Sequence, residues 1–160
     1  MFRGVFYTTI DGKGRTSLPA KFREVLVESF GEERFFLTNS NPVRLGDGVS
    51  CSGLAIYPYH EWLALEEKLV RGSGLGLSSS ELAAVKRKIV APAVECSADK
   101  LGRILVPPHL RKGASLEREI VFSGLLNKAE IWSLAEYEKV LRQDDENFPD
   151  DSPALAELGL

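Results

Sequence analysis

The sequence carries one pattern twice, and this duplication limits what the chain can fold into more than any other feature. Residues 10–23, beginning Ile10-Asp11-Gly12-Lys13-Gly14-Arg15, recur 88 positions later as residues 98–111, beginning Ala98-Asp99-Lys100-Leu101-Gly102-Arg103. Both stretches read Asp-x-x-Gly-Arg, three residues of mostly strand type, Pro, then x-x-apolar-Arg, closing on Arg23 and Arg111. A second match follows, Ala55-Ile56-Tyr57-Pro58-Tyr59-His60-Glu61-Trp62 against Glu130-Ile131-Trp132-Ser133-Leu134-Ala135-Glu136-Tyr137. The spacing between the matches is 33 residues in the first copy (Arg23 to Ile56) and 20 in the second (Arg111 to Ile131). The first copy therefore holds an insertion, placed in the Asn-, Gly- and Ser-rich loop of residues 39–53.

Each copy yields the same coarse plan. A strand enters (5–10; 94–98), Asp-x-x-Gly turns the chain, and a strand leaves (16–18; 104–106). Pro19 and Pro107 mark short helices, since a missing N–H costs nothing in a first helical turn. Two further strands (34–38 with 53–57; 119–123 with 129–132) lead into a closing helix (59–71; 134–142). On the first of these helices Trp62, Leu65, Leu69 and Val70 share a face. Gly72 to Ser78 reads as a linker. Ser78 with Glu81 then forms a capping box opening a helix over 79–90. The units are residues 1–76, 77–143 and an acidic, disordered tail 144–160, in which Leu155, Leu158 and Leu160 could dock on a neighbour. A copy of about 70 residues is short for an independent core, so the two halves are expected to share one.

Charge is unevenly placed. The net charge of −3 includes a tail, residues 144–160, with six acids and no Lys or Arg. Residues 1–143 then hold 20 basic and 17 acidic side chains, a net of +3, so the body can still meet a polyanion through a local patch. No apolar run approaches the roughly 20 residues of a membrane span, and the start of the chain lacks the apolar stretch of a secretory leader. Two cysteines, Cys51 and Cys96, fit a reducing cytoplasm better than a disulfide scaffold.

Arg15 and Arg103 leave identical turns, with Lys13 adding a charge at the first tip. Guanidinium forks on rigid tips suit phosphate oxygens or the O6/N7 edge of guanine. The alternative is a plain turn whose Arg pairs with a nearby carboxylate. Recurrence of the Arg together with Asp11, Gly14, Asp99 and Gly102 favours a shared interaction role.

Met1-Phe2-Arg3-Gly4, the paired Asp-x-x-Gly-Arg turns, the Leu18-Pro19 and Val106-Pro107 steps, Tyr57-Pro58-x-x-Glu61-Trp62 and Val94-Glu95-Cys96 together resemble the MraZ family over residues 1–142. That resemblance implies an α+β fold, a duplicated swapped-hairpin β-barrel of the AbrB class with short helices. It also implies a cytoplasmic, nucleoid-associated transcriptional regulator of the division and cell-wall gene cluster. Such a protein binds repeated boxes in double-stranded promoter DNA as a homo-oligomeric ring, octameric or larger, and represses its own operon. The DNA-contacting positions it carries over are Lys13, Arg15, Arg103 and Arg87. Arg3, beside the first strand, either extends the basic patch or is simply exposed.

Other features point to no chemistry of their own. Gly72-Ser73-Gly74-Leu75-Gly76 follows a helix, whereas a phosphate-cradling loop must follow a strand. His60, His109, Cys51 and Cys96 lie at no metal-site spacing, and His109, which replaces Lys21 of the first copy, is placed near the second tip. No nucleophile–base pattern is visible, so neither enzyme activity nor a cofactor is expected. Phe35, Phe36, Trp62, Phe122 and Trp132 read as core and not as a base-stacking platform. An AbrB-class antitoxin-like module, whose tail wraps a protein partner, stays open as the main alternative.

Overall fold

In the computed structural model, which describes residues 1–160, each Asp-x-x-Gly turn lies between two short strands that do not pair with each other. Strand β1 (Val5–Thr9) enters the first turn and β2 (Arg15–Ser17) leaves it. The counterparts are β7 (Val94–Cys96) and β8 (Arg103–Leu105). β1 pairs instead with β9 (Glu119–Leu125) of the second copy, Val5 facing Ser123 and Thr9 facing Glu119. β7 pairs with β3 (Phe35–Asn39) of the first copy, and β2 pairs with β8. The turns are thus not the tips of local two-stranded ladders. Each copy lends its entering strand to the other.

The main sheet is antiparallel and runs β1-β9-β10-β6-β3-β7, where β6 is Leu54–Pro58 and β10 is Lys128–Ser133. The β6–β10 pairing joins the copies at its centre, Ile56 facing Ala129. The sheet is open at β1 and β7, and β2 with β8 forms a separate ribbon, so the hydrogen bonding does not close the barrel expected from the sequence. At three residues each, β2 and β8 are used up by pairing with one another.

Helices follow the prolines. The Pro19 carbonyl accepts the amides of Phe22 (2.9 Å) and Arg23 (3.2 Å) to open α1 (Ala20–Phe30). Pro107 plays that part for α4 (Pro108–Gly113). α2 (Tyr59–Arg71) and α5 (Leu134–Asn147) close the copies. On α2, Trp62 and Leu69 are buried, but Val70 is exposed and leaves the apolar face assigned to it. The Ser78 capping box forms as expected and opens α3 (Ser79–Val85). The predicted 79–90 helix then changes winding, continuing as a π-helical turn over Lys86–Val90. α5 runs five residues past Arg142, and a short helix α6 (Pro153–Glu157) follows. No helix is long and apolar enough to cross a membrane.

One cluster of 18 buried apolar residues draws on both copies, including Phe2, Leu18, Phe22 and Leu26 from the first and Val106, Leu110, Ile120 and Phe122 from the second. Phe22 is its hub, with ring centroids 5.2 Å from Phe2, 5.3 Å from Phe6 and 6.2 Å from Phe122. Truncating such a buried ring costs about 3–5 kcal/mol. A smaller cluster of Cys51, Val121, Trp132, Tyr137 and Val140 lies against α5. The insertion covers it. Read from the sequence as a loop, it forms a hairpin, β4 (Val43–Arg44) with β5 (Ser50–Cys51).

Candidate nucleic-acid interface

Each turn is built by its aspartate. Asp11 Oδ1 accepts the amides of Lys13 and Arg15, both at 2.9 Å, and its Oδ2 accepts Arg15 Nε at 2.8 Å. Asp99 repeats the arrangement with the amides of Leu101 and Arg103 at 2.9 Å and Arg103 Nε at 3.1 Å. The Arg15 amide, then its guanidinium, and the Lys13 amide hold the Asp11 carboxyl down at about 2. The Asp99 carboxyl is lowered in the same way, first by the Arg103 amide.

The glycines let the copies lock together. Gly14 (φ 87°) and Gly102 (φ 77°) take a left-handed conformation that a side chain would strain. A Cβ on Gly14 would also run into the Val106 carbonyl and come within 2.7 Å of Arg111 Nε; one on Gly102 would lie 2.7 Å from Arg23 Cζ. The backbone bonds are reciprocal. Val106 N donates to Gly14 O at 2.7 Å, and Leu18 N donates to Gly102 O at 2.9 Å. Arg111 Nη1 donates to Gly12 O at 3.0 Å. The arginines that close each repeat, Arg23 and Arg111, thus pack on the turn of the opposite copy. Sequence reading passed over them as site residues, although their recurrence in the repeat was the available signal.

The ribbon then sets where the turn arginines point. Across β2–β8, Arg15 faces Leu105, Thr16 faces Ile104 and Ser17 faces Arg103. Thr16 and Ile104 are buried, Thr16 Oγ1 donating to Thr9 O at 2.8 Å. Alternation turns Arg15 and Arg103 to the other, solvent face, with side chains 47% and 45% exposed. Together with Thr8, Thr9, Asp11 and Ser17 they line one shallow open groove. The turn arginine pairs with the carboxylate of its own turn, and it stands on an exposed face shared by the two copies. The pairing uses Nε alone, and neither guanidinium makes another hydrogen bond. An exposed pair of this kind adds little stability, but it leaves the Nη groups of each fork without a hydrogen-bond partner, free to donate to phosphate or guanine.

The other candidates lie in different places. Lys13 is exposed at the first tip, while Leu101 holds that position in the second and is 72% exposed. Arg87 is exposed on the π-helical turn, which packs on β3. Arg3 is exposed beside the Phe2–Leu126 bridge, at the opposite end of β1 from Asp11. His109 belongs to α4, the helix whose Arg111 holds the first turn, and its ring meets the Pro92 carbonyl at 3.0 Å.

A duplicated α+β fold with exchanged strands, presenting two aspartate-braced arginines on one ribbon face, defines the class of protein. Residues 89–157 match the family model described as "MraZ protein, putative antitoxin-like". The chain is 81% identical to the transcriptional regulator MraZ of Geotalea daltonii and 79% identical to that of Geotalea uraniireducens, over all 160 residues and the whole of each relative. It is 64% identical to that of Geobacter metallireducens over the same full lengths. The chain belongs to the MraZ family of transcriptional regulators.

Proposed function

We propose that this chain binds double-stranded DNA at short repeated boxes in the promoter of its own operon, within the division and cell-wall gene cluster, and represses it. The observation that carries the reading is the common solvent face of Arg15 and Arg103, each guanidinium held through Nε by the aspartate of its own turn. Lys13 adds charge at the first tip, and Arg87 and Arg3 supply further contacts. Asp11, Gly14, Asp99 and Gly102 shape the turns and do not touch the DNA.

Two arginines per chain make a weak contact. A homo-oligomeric ring, octameric or larger, would set several such faces on consecutive boxes, and the raised effective concentration would turn weak contacts into tight binding. The open sheet edge at β1, with Val5 46% and Tyr7 65% exposed, supports self-association. The exchange of β1 and β7 between the copies supports the swapped-hairpin architecture of the AbrB class. A regulator of this kind resides in the cytoplasm on the nucleoid.

The test is a footprint of the purified chain on the DNA upstream of its own gene, with light scattering for the mass of the assembly. Protection of evenly repeated boxes by a closed oligomer is expected. A chain that stays monomeric and protects nothing contradicts the proposal. The antitoxin-like description of the family model, with Phe148, Leu158 and Leu160 exposed in the acidic tail, supports a second reading as a protein-binding module. Stoichiometric co-purification of a small protein, lost when the tail is removed, would favour it.

A further inference from the structure

The two turns differ in what lies beside them. The first is gripped by α4, through the Arg111 bond to Gly12. On the other side of α4, His109 Nε2 donates to the Pro92 carbonyl at 3.0 Å, just past the π-helical turn. α4 ends on Gly113, where a side chain would meet Asn39 Oδ1 at 3.6 Å. Asn39 Nδ2 in turn donates to the Lys88 carbonyl at 2.8 Å, and Thr38 Oγ1 donates to the Ile89 carbonyl. First turn, α4 and π-helical turn are therefore joined by a continuous chain of contacts. π-helical turns often occur at functional sites, and here the altered winding is pinned to the end of β3 by two side chains.

Beside the first turn, α4 and the π-helical turn are basic. Lys86, Arg87, Lys88 and Lys112 are all exposed, and none of them is in an ion pair. Neither α4 nor the π-helical turn contains a carboxylate. The second turn has the opposite surroundings. It packs on α1, which carries Glu24 and Glu28 as well as Lys21 and Arg23, with Lys21 tied to Glu24 at 3.1 Å and Glu33 lining the cleft beside Arg23. α1 thus holds as many carboxylates as cations, whereas its counterpart α4 holds Arg111 and Lys112 with no carboxylate.

We infer that Lys88 and Lys112, on either side of the Asn39 contact between the π-helical turn and α4, form a track for the sugar–phosphate backbone of duplex DNA, continuing from the first arginine turn. The inference rests on the DNA-binding reading and deepens it. Duplex DNA carries one negative charge per roughly 1.7 Å of axis, and exposed cations free of carboxylates gain most from displacing its counterions. Lysines act on phosphates as point charges and do not read base edges, so the track supplies affinity and register while the turn supplies sequence preference.

The test compares the full-length chain with Lys88→Ala/Lys112→Ala. Fluorescence anisotropy is read across a salt series, on a duplex from upstream of the gene and on a shuffled duplex of equal composition. The slope of log K against log salt is expected to fall by about 1.8 for the two lost contacts, with affinity down on the order of tenfold at physiological salt. Both duplexes should lose affinity together, leaving their ratio unchanged. Lys21→Ala/Lys68→Ala, on other surfaces, should behave as the parent chain. Lys112→Glu, which keeps the helix and reverses one charge, should weaken binding further than Lys112→Ala. A parent-like slope for the first double variant, or a loss confined to the upstream duplex, overturns the track while the turn reading stands. Failure of the parent chain to bind either duplex overturns both.

Discussion

Arg15 and Arg103 stand on opposite strands of the β2–β8 ribbon, one rung either side of the buried Thr16–Ile104 pair, and on the same solvent face. Residues 88 positions apart in the chain become diagonal neighbours, roughly 7 Å apart in a ladder of this kind. Neither copy could place them so alone. The repeat matters because exchange between its halves brings the two arginines together.

That exchange predicts unequal costs for the two turn glycines. Gly14→Ala meets both a positive φ and a backbone carbonyl, that of Val106, which cannot swing aside. Gly102→Ala meets a positive φ and the mobile end of Arg23. The conformational part costs about 1–2 kcal/mol in each, and Gly14→Ala is expected to exceed it clearly. Urea unfolding of both variants checks the order, and equal midpoints would contradict it.

The Asp11 carboxyl, ordinarily at 3.8, is held at about 2 by hydrogen bonds from Arg15 and Lys13. A lowered folded-state value means that its contribution to stability is present above the ordinary carboxylate range and is lost as pH falls through about 2. NMR titration should find this midpoint well below the ordinary aspartate value of 3.8. In Arg15→Ala it should rise part of the way, since the backbone amides stay. A midpoint unmoved by that substitution would show the pairing to be absent in solution.

Gln143 fastens the insertion to α5, accepting the Gly46 amide at 2.8 Å and donating to the Arg44 carbonyl at 2.9 Å. Cys51 lies beneath that hairpin, wholly buried, and burial raises its thiol pKa. Gln143→Ala is expected to lower stability by about 1–2 kcal/mol and to speed labelling of Cys51 by a thiol reagent. Labelling at the parent rate would mean that the hairpin is held by packing alone.

Local chemistry was legible in the sequence, and long-range pairing was not. Asp-x-x-Gly announces its turn because the aspartate bonds to amides two and four residues on, all within the motif. The Ser78 capping box and the proline helix starts are equally local. Which strand takes β1 depends on burying Phe2 and Ile10 against the other copy, information spread over more than a hundred residues. The hairpin in the insertion depends on Gln143, 97 positions from Gly46. Helical periodicity assigned Val70 to a buried face, but it lies 80% exposed near the end of α2. The π-helical turn is fixed by Thr38 and Asn39, residues of another strand.

The most direct measurement is the affinity of Arg15→Ala for the upstream duplex, with assembly mass followed in parallel. Loss of a bidentate contact costs about 1–3 kcal/mol, close to tenfold or more in Kd, and repetition around an oligomer multiplies it. Specific binding should therefore disappear while the mass stays that of the parent chain. Parent-like retardation of the duplex by Arg15→Ala would contradict the arginine-face account.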